Sequence, residues 1–129
     1  MEKIRYRYHF SLHLNFKKDV DVDKLEKQFG LSAYKKTFLK DCKGPQKCAK
    51  IWFRTNEFTD VNTDEKIEKF TEKIFDNFKN LKQILNEEEG SARFSLVFTE
   101  TNERPIIGLT LKTIERFKEL GLSFDVDFV

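Results

Sequence analysis

Apolar and polar side chains alternate strictly along the first sixteen residues. Every even position from Ile4 to Phe16 is apolar or aromatic, and the odd positions between them are polar or basic. This period of two predicts a long strand over the segment, with one buried face and one exposed, basic face. The exposed face of this strand carries Arg5, Arg7 and His9.

The next segment carries both end signals of a short helix. Asp21 suits the N-cap because its carboxylate can accept from the unpaired backbone N–H groups of the first turn. Gly30 stands where a helix ends in the left-handed conformation, and Leu31 can fold back after it. The helix predicted between these caps has one apolar face, formed by Val22, Leu25 and Phe29.

Two strands are predicted around a Gly-Pro turn. Tyr34–Cys42 and Cys48–Thr55 flank Gly44–Pro45, a dipeptide typical of turns. In the second strand, apolar positions alternate with Lys50, Trp52 and Arg54. We expect these three side chains on the exposed face beside the basic face of the first strand, with Trp52 open to solvent.

A long amphipathic helix is predicted over Thr63–Leu85. Asn62 and Glu65 fit a capping box at its start. Apolar residues recur along it at helical spacing, at Ile67, Phe70, Ile74, Phe78, Leu81 and Leu85. We expect this helix to lie across the sheet and cover its centre.

The last third of the chain predicts two strands, a helix and a final strand. Ala92–Phe98 alternates as a strand, and Ile106–Leu109 is a short strand after a proline. Thr110 caps the helix, for which Leu109 and Ile114 fit a hydrophobic staple. The helix has an apolar stripe of Leu111, Ile114, Phe117 and Leu120, and the final strand is Leu122–Phe128.

The predicted order is β-α-β-β-α-β-β-α-β. Helices between strands, with hairpins in the gaps, predict one α+β domain over residues 1–129, a mainly antiparallel sheet with three helices on one face. The residues expected to be buried together in its core are Tyr8, Phe10, Ile51, Phe53, Phe70, Ile74, Phe78, Leu81, Phe94 and Leu96.

Composition narrows the classes of partner. The chain has 129 residues with 36% charged residues, yet its net charge is only +2. A nearly neutral chain has no strong overall field to attract DNA or a membrane surface, although local basic faces can exist. No signal-peptide core follows Met1, and no apolar run approaches the ~20 residues of a membrane span. We therefore expect a cytoplasmic protein that does not associate with membranes.

The cysteines and histidines do not predict a metal site. Cys42 and Cys48 are too few for a disulfide framework, and we expect two reduced, exposed thiols on a hairpin loop. His9 and His13 would complete the inventory of a zinc finger, but they lie ~13 Å apart along one strand. The sequence also lacks hydrolase and phosphate-loop motifs. We expect no metal, no cofactor and no catalytic residue.

The last strand carries an acidic pair, Asp125 and Asp127, on the face opposite the core. Carboxylates at this spacing lie ~6.6 Å apart along a strand, which is wide for one small cation. We expect a structural pair that faces Arg5 and Arg7, provided that the last strand lies beside the first. A cation site and a contact with a partner are the alternatives.

The last quarter of the chain reads RPIIGLTLKTIERFKELGLSFDVDFV. A short strand, a helix ending in Leu-Gly and an alternating strand with aspartates resemble the end of a bacterial family, domain of unknown function 4279. The segments SAYKKT and AKIWFRT are similar to its aromatic-lysine stretch and its tryptophan-bearing strand. The resemblance implies a small bacterial cytosolic protein and supplies no catalytic residues.

Three functions remain open. We favour a non-enzymatic protein-interaction module, immunity-like or accessory, because an exposed aromatic among cations suits a surface for a protein partner or a homodimer. The alternative is binding of single-stranded RNA or another nucleic acid on the same basic face. The third is a small enzyme of unknown class. The binding residues expected on the open face are Arg5, Arg7, His9, Lys50, Trp52 and Arg54.

Overall fold

The computed structural model describes residues 3, 5–45 and 47–129. Over these residues the chain forms an α+β fold with a mixed sheet of six strands and four α-helices. The elements are β1 (Tyr6–Phe16), α1 (Val22–Phe29), β2 (Lys35–Thr37), β3 (Ala49–Arg54), β4 (Phe58–Asp60), α2 (Thr63–Asn77), α3 (Leu81–Glu87), β5 (Gly90–Thr101), α4 (Leu111–Leu120) and β6 (Leu122–Phe128). The first predicted strand is confirmed from Tyr6 onward, and Ile4 lies outside the described residues.

The sheet is centred on β1 and β5, which pair antiparallel along nearly their whole length. The strand order is β2-β3-β1-β5-β6, and β4 pairs with the first residues of β1. β1 pairs antiparallel with β3, β4 and β5, and β2 pairs antiparallel with β3. β5 and β6 run parallel. Four of these five pairings are antiparallel and one is parallel, so the sheet is mixed. The physical reason is α4, which carries the chain back along the sheet between β5 and β6, as a parallel pair requires.

The ends of α1 follow the predicted chemistry. The carboxylate of Asp21 accepts hydrogen bonds from the backbone N–H groups of Asp23 and Lys24 at 3.1 and 3.2 Å. Gly30 has φ of 77°, in the left-handed region that glycine tolerates best. The predicted cap at each end of α1 is confirmed.

The helix predicted over Thr63–Leu85 is two helices, so the prediction of three helices was wrong. Between α2 and α3, Phe78 leaves the helical conformation with φ of −131° and ψ of 48°. The side-chain amide of Asn77 donates to the carbonyl of Phe29 at 2.9 Å, and Phe78 packs on the Phe29 ring with centroids 5.3 Å apart. Both contacts fix the interruption between α2 and α3 against α1. The spacing of apolar residues along the helix gives no sign of either contact.

Two predicted strands differ in the structure. The strand expected over Tyr34–Cys42 is limited to β2, and the chain then turns through a 3₁₀ helix at Leu39–Asp41. The segment expected as a strand at Ile106–Leu109 is irregular, because Gly108 donates to the side chain of Asp64 at 2.9 Å and ties it to the start of α2. The short strand β4 was not predicted, since three residues are too few to show a period.

The predicted N-cap of α4 is present, but its buried face differs from the predicted stripe. The Thr110 hydroxyl accepts from the backbone N–H of Thr113 at 3.2 Å. The buried positions are Thr113, Phe117 and Leu120, which lie on one side of the helix. Leu111 and Ile114 are 72% and 48% exposed. Thr113 can be buried because its hydroxyl accepts from that of Thr110 at 3.0 Å.

The core lies between the helices and one face of the sheet. Aromatic rings dominate it: the Phe94 ring lies 5.4 Å from each of Phe10 and Phe70 and 5.7 Å from Phe117. These contacts join β5 and β1 to α2 and α4. All ten predicted core residues are buried in this one cluster, so the prediction of the core is confirmed.

No described helix has both the length and the apolar composition that a bilayer crossing requires.

Candidate functional site

The face of the sheet opposite the helices is the candidate site, and we call it the open face. The even positions of β1 are buried under the helices, so its odd positions point to the open face. Across the sheet, His13 is paired with Trp52 on β3 and with Arg93 on β5. The register and the alternation place on this face His9, Ser11, His13, Asn15, Lys50, Trp52, Arg54, Arg93, Ser95, Asp125 and Asp127.

The centre of the open face is less exposed than the alternation predicted. His9 is only 5% exposed; its cross-strand partner is Val97, and the next cross-strand pair on the same face consists of the buried serines Ser11 and Ser95. Across the sheet, the short side chains of Ser11 and Ser95 lie between the longer side chains of Arg54 on β3 and Asp125 on β6. The expectation that His9 is exposed to solvent was therefore wrong.

Burial also sets the charge of His9. It lowers the pKa of the imidazole below its ordinary value of 6.5, and the nearby Arg54 lowers it further, partly opposed by Glu57. The Nδ1 atom is buried and has no hydrogen-bond partner among the described residues. His9 is thus a neutral side chain of the sheet at pH 7.

Trp52 stands in a group of side chains that we call the aromatic–cation cluster: His13, Tyr34, Trp52 and Arg54. The His13 ring stacks on the indole with centroids 4.8 Å apart, and the Tyr34 ring meets it edge-on at 4.5 Å. The Arg54 guanidinium lies 5.1 Å from the centre of the Tyr34 ring. The backbone N–H of Tyr34 donates to the Trp52 carbonyl at 2.7 Å, which fixes the two residues together.

The cluster covers Trp52 more than the sequence predicted. The indole is half-buried, and its N–H is covered and has no hydrogen-bond partner among the described residues. Tyr34 is 58% exposed, so it is the open aromatic side chain of the cluster. The expectation of a solvent-open Trp52 was wrong, because the segment before β2 folds over it.

A pocket of about 430 Å³ opens beside the cluster, between β1, β3 and the loop that follows β2. Its lining residues are His13, Asn15, Lys35, Thr37, Asp41, Cys42, Lys43, Lys50, Ile51 and Trp52. Three lysines and one aspartate give this lining a net charge of +2 when His13 is neutral. Burial lowers the pKa of His13 below 6.5, Arg93 lowers it further, and Asp125 and Asp127 oppose them in part.

The remaining predicted cations lie elsewhere on the sheet. Arg7 forms ion pairs with Glu57 at 3.1 Å and with Glu100 at 3.5 Å. Arg5 lies next to it, and its backbone N–H donates to the side chain of Asn102 at 2.8 Å. Both arginines are at the end of β1 opposite the pocket. The structure therefore brings Lys50, Trp52 and Arg54 together and leaves Arg5 and Arg7 apart from them.

The acidic pair has a different neighbour from the one predicted. β6 lies beside β5 rather than beside β1, so Asp125 and Asp127 do not face Arg5 and Arg7. Asp125 pairs instead with Arg93 on β5, at 3.6 Å. Within residues 3, 5–45 and 47–129, no group of three or more His, Cys, Asp or Glu side chains is arranged to hold a metal ion.

Cys42 lines the pocket, and Cys48 contacts Cys42. The backbone N–H of Cys48 donates to the Sγ atom of Cys42 at 3.4 Å. Both side chains are half-buried, so the expectation of two exposed thiols was wrong. Cys42 directly follows the 3₁₀ helix at Leu39–Asp41 rather than ending a hairpin strand, and its backbone N–H donates to the carbonyl of Leu39 at 3.2 Å.

The sequence placed Lys50, Trp52 and Arg54 on one face of the sheet, as observed, but it gave no sign of most of the pocket. His13 and Asn15 share the odd positions of β1 with His9, so the alternation could have included them. Lys35 is paired with Trp52 and Thr37 with Lys50, but only the observed register of β2 and β3 reveals this. The position of Lys43 depends on the 3₁₀ turn, which has no periodic signature.

Comparison with known proteins identifies the chain at the level of its family. No curated protein and no solved structure matches it. A family model described as "Domain of unknown function (DUF4279)" matches residues 6–129, which include the whole sheet and all four described helices. The chain therefore belongs to the DUF4279 family, as the resemblance of its last quarter predicted.

Proposed function

We propose that this protein is a non-enzymatic protein-interaction module that binds a protein partner through the open face of its sheet. The observation that carries the proposal is the aromatic–cation cluster on the face that the helices leave uncovered. We further propose an accessory or immunity-like role in a bacterial cytoplasm, in keeping with the sequence-based expectations.

The composition of the cluster supports a protein interface. Tyrosine, tryptophan and arginine are the residue types most enriched among those that dominate binding energy. Here Arg54 lies over the ring of Tyr34, and Tyr34 contacts Trp52. A partner group that covers Tyr34 would desolvate the cation and the rings together, which strengthens their interaction.

The cluster is also held in place before binding. His13 and Trp52 are cross-strand partners, and the backbone N–H of Tyr34 donates a hydrogen bond to the backbone carbonyl of Trp52. Side chains that are already ordered lose little conformational entropy when a partner arrives. A fixed patch of this kind favours a specific partner surface.

Charge indicates which surface would fit. Lys35, Lys43 and Lys50 surround the pocket beside the cluster, and none forms an ion pair with a described residue. Complementary charge across an interface speeds association and selects the partner. The partner should therefore present acidic side chains to this part of the open face.

Single-stranded nucleic acid is the second candidate. The exposed ring of Tyr34, the Arg54 cation and the unpaired lysines are features that a nucleic-acid surface uses. Such a surface usually stacks successive bases on several open aromatics. Trp52 is half-buried under His13 and Tyr34, so the cluster presents one open ring, which favours the protein partner.

A photo-crosslinking experiment tests the proposal. A photoreactive phenylalanine analogue is placed at Tyr34 in cells that express the protein, and the matched control places it at Lys73, which is exposed on α2 in the helical layer. We expect a discrete protein adduct at Tyr34, with either another protein or a second copy, and none at Lys73. Equal labelling at both positions, or adducts at Tyr34 with nucleic acid alone, would contradict the proposal.

A further inference from the structure

We propose that the pocket beside the aromatic–cation cluster binds a phosphate monoester. The residues that would hold it are His13, Thr37, Lys35, Lys43, Lys50 and Trp52. This inference goes beyond the proposed function, because it concerns a ligand of the pocket and requires no protein partner.

The three lysines reach the pocket from three separate segments. Lys35 comes from β2, Lys43 from the loop after the 3₁₀ turn and Lys50 from β3. Some lysines elsewhere have carboxylate partners: Lys36, for example, lies 2.8 Å from both Asp23 and Glu26. Around the pocket no carboxylate of a described residue comes within 4.0 Å of a lysine Nζ atom. Three like charges around one concavity repel one another, and a bound anion reduces that repulsion.

The charge of the lining selects the class of anion. One aspartate, Asp41, accompanies the three lysines, which leaves +2 around the pocket. A phosphate monoester carries about −1.5 to −2 at pH 7, so it would balance this charge nearly completely. Lysine is a common phosphate ligand because its ammonium group offers three donors and a compact positive charge.

The polar side of the pocket suits the phosphate group of a monoester, and its apolar side suits the organic substituent. The hydroxyl of Thr37 and the side-chain amide of Asn15 add neutral hydrogen-bond donors to the lysines. The volume of about 430 Å³ is within the range of small-molecule sites and leaves room for a substituent beyond the phosphate itself. The substituent would lie against Trp52, whose ring forms an apolar wall of the pocket.

A binding titration tests the inference on the purified chain. Trp52 is the single tryptophan of the sequence and lines the pocket, so its fluorescence reports binding there. The probes are O-phosphoserine and inorganic phosphate, with serine and malonate, a dicarboxylate, as controls at constant ionic strength. We expect saturable one-to-one binding of O-phosphoserine, with serine and malonate far weaker.

Three variants locate the site. Lys43→Gln and Lys50→Gln should each weaken O-phosphoserine binding about fivefold, as expected for loss of one charged contact. Lys73→Gln is the matched control, since Lys73 is exposed on α2 and also lacks an ion pair with the described residues, and it should leave the affinity unchanged. Unchanged thermal unfolding would show that all three variants are folded.

The results distinguish a phosphorylated protein from a small metabolite as the source of the phosphate. They also distinguish failure of the phosphate site from failure of the proposed function. Tighter binding of a phosphoserine peptide than of O-phosphoserine would assign the site to a phosphorylated protein, and tighter binding of the free compound would assign it to a small metabolite. Absence of saturable binding, equal binding of malonate, or equal weakening by Lys73→Gln would overturn the phosphate site. None of these results affects the crosslinking at Tyr34, which tests the proposed function alone.

Discussion

The imidazole of His13 stacks on the indole of Trp52, with ring centroids 4.8 Å apart and ring planes inclined by 25°. The two residues are direct partners across β1 and β3, so the ladder of the sheet fixes their separation. Tyr34 contacts the same indole from the segment before β2. This stack joins the centre of the sheet to the pocket and to the exposed cation Arg54, and the proposals for the open face depend on it.

Removal of Tyr34 should uncover Trp52. In the wild type the half-buried indole should be quenched only moderately by acrylamide, because His13 and Tyr34 shield it. Tyr34→Ala should raise the quenching constant of the tryptophan fluorescence clearly. Phe128→Ala, at an exposed aromatic side chain on β6, is the control and should not change it. Identical quenching in all three proteins would mean that Tyr34 does not cover the indole.

Phe78 should be among the most costly residues to truncate. It is fully buried and packs on Phe29 where α2 gives way to α3. Phe78→Ala should reduce the free energy of unfolding by ~3–5 kcal/mol, the usual loss for a core phenylalanine. Urea unfolding measures this loss, with Ile106→Ala as the control, since Ile106 is 88% exposed and should change the stability by less than about 0.5 kcal/mol. Similar losses in both variants would contradict the described core.

The local elements of this fold were predictable because their signals lie within a few residues. Asp21 and Gly30 delimit α1, and Thr110 and Gly121 delimit α4, through chemistry that is readable in the sequence. The alternation of β1 likewise identified its buried face. These predictions required no knowledge of the neighbouring elements.

The features that were predicted wrongly have the opposite character, because each is determined by a contact with a residue distant in the sequence. The break at Phe78 is held by Asn77 and by Phe29 of another helix. The cover over Trp52 depends on the path of the chain at Tyr34, and the partner of Asp125 depends on the strand order. Periodicity contains no information on these contacts, and so the shared face of Lys50, Trp52 and Arg54 was predicted while the pocket beside them was not.

Asp125 and Arg93 should be coupled energetically. Their atoms lie 3.6 Å apart across β6 and β5, and both side chains are partly exposed. A double-mutant cycle of Asp125→Asn and Arg93→Gln should give a coupling of ~0.2–1 kcal/mol in unfolding free energy. The cycle that combines Asp125→Asn with Arg7→Gln is the control and should give none, because Arg7 pairs with Glu57 and Glu100. Coupling to Arg7 instead would contradict the observed strand order.

The two histidines should make the stability depend on pH. Burial lowers the pKa of both His9 and His13 in the folded chain, whereas the unfolded chain keeps the ordinary value of 6.5. As the pH falls through 6.5, the unfolded chain binds protons that the folded chain does not, so the free energy of unfolding decreases. The decrease continues until the pH reaches the lowered pKa values of the folded chain.

Substitution of the histidines provides the check on this slope. Thermal unfolding of the wild type should show a melting temperature that falls between neutral pH and the acidic side of 6.5. The variant with His9→Gln and His13→Gln should lose most of this dependence, since it lacks the two imidazoles that bind these protons. An equal slope in the variant and the wild type would assign the dependence to other groups.

The affinity of the crosslinked protein partner for variants of the open face tests the central claim most directly. Calorimetric titration of the purified partner compares the wild type with Tyr34→Ala, Arg54→Ala and the helical-layer control Lys73→Ala. Because Tyr34 and Arg54 form the exposed part of the aromatic–cation cluster, each should weaken binding about tenfold or more, as interface residues of these types do. Lys73→Ala should bind like the wild type. Full affinity in Tyr34→Ala and Arg54→Ala, or a loss in Lys73→Ala as large as theirs, would contradict binding through the open face.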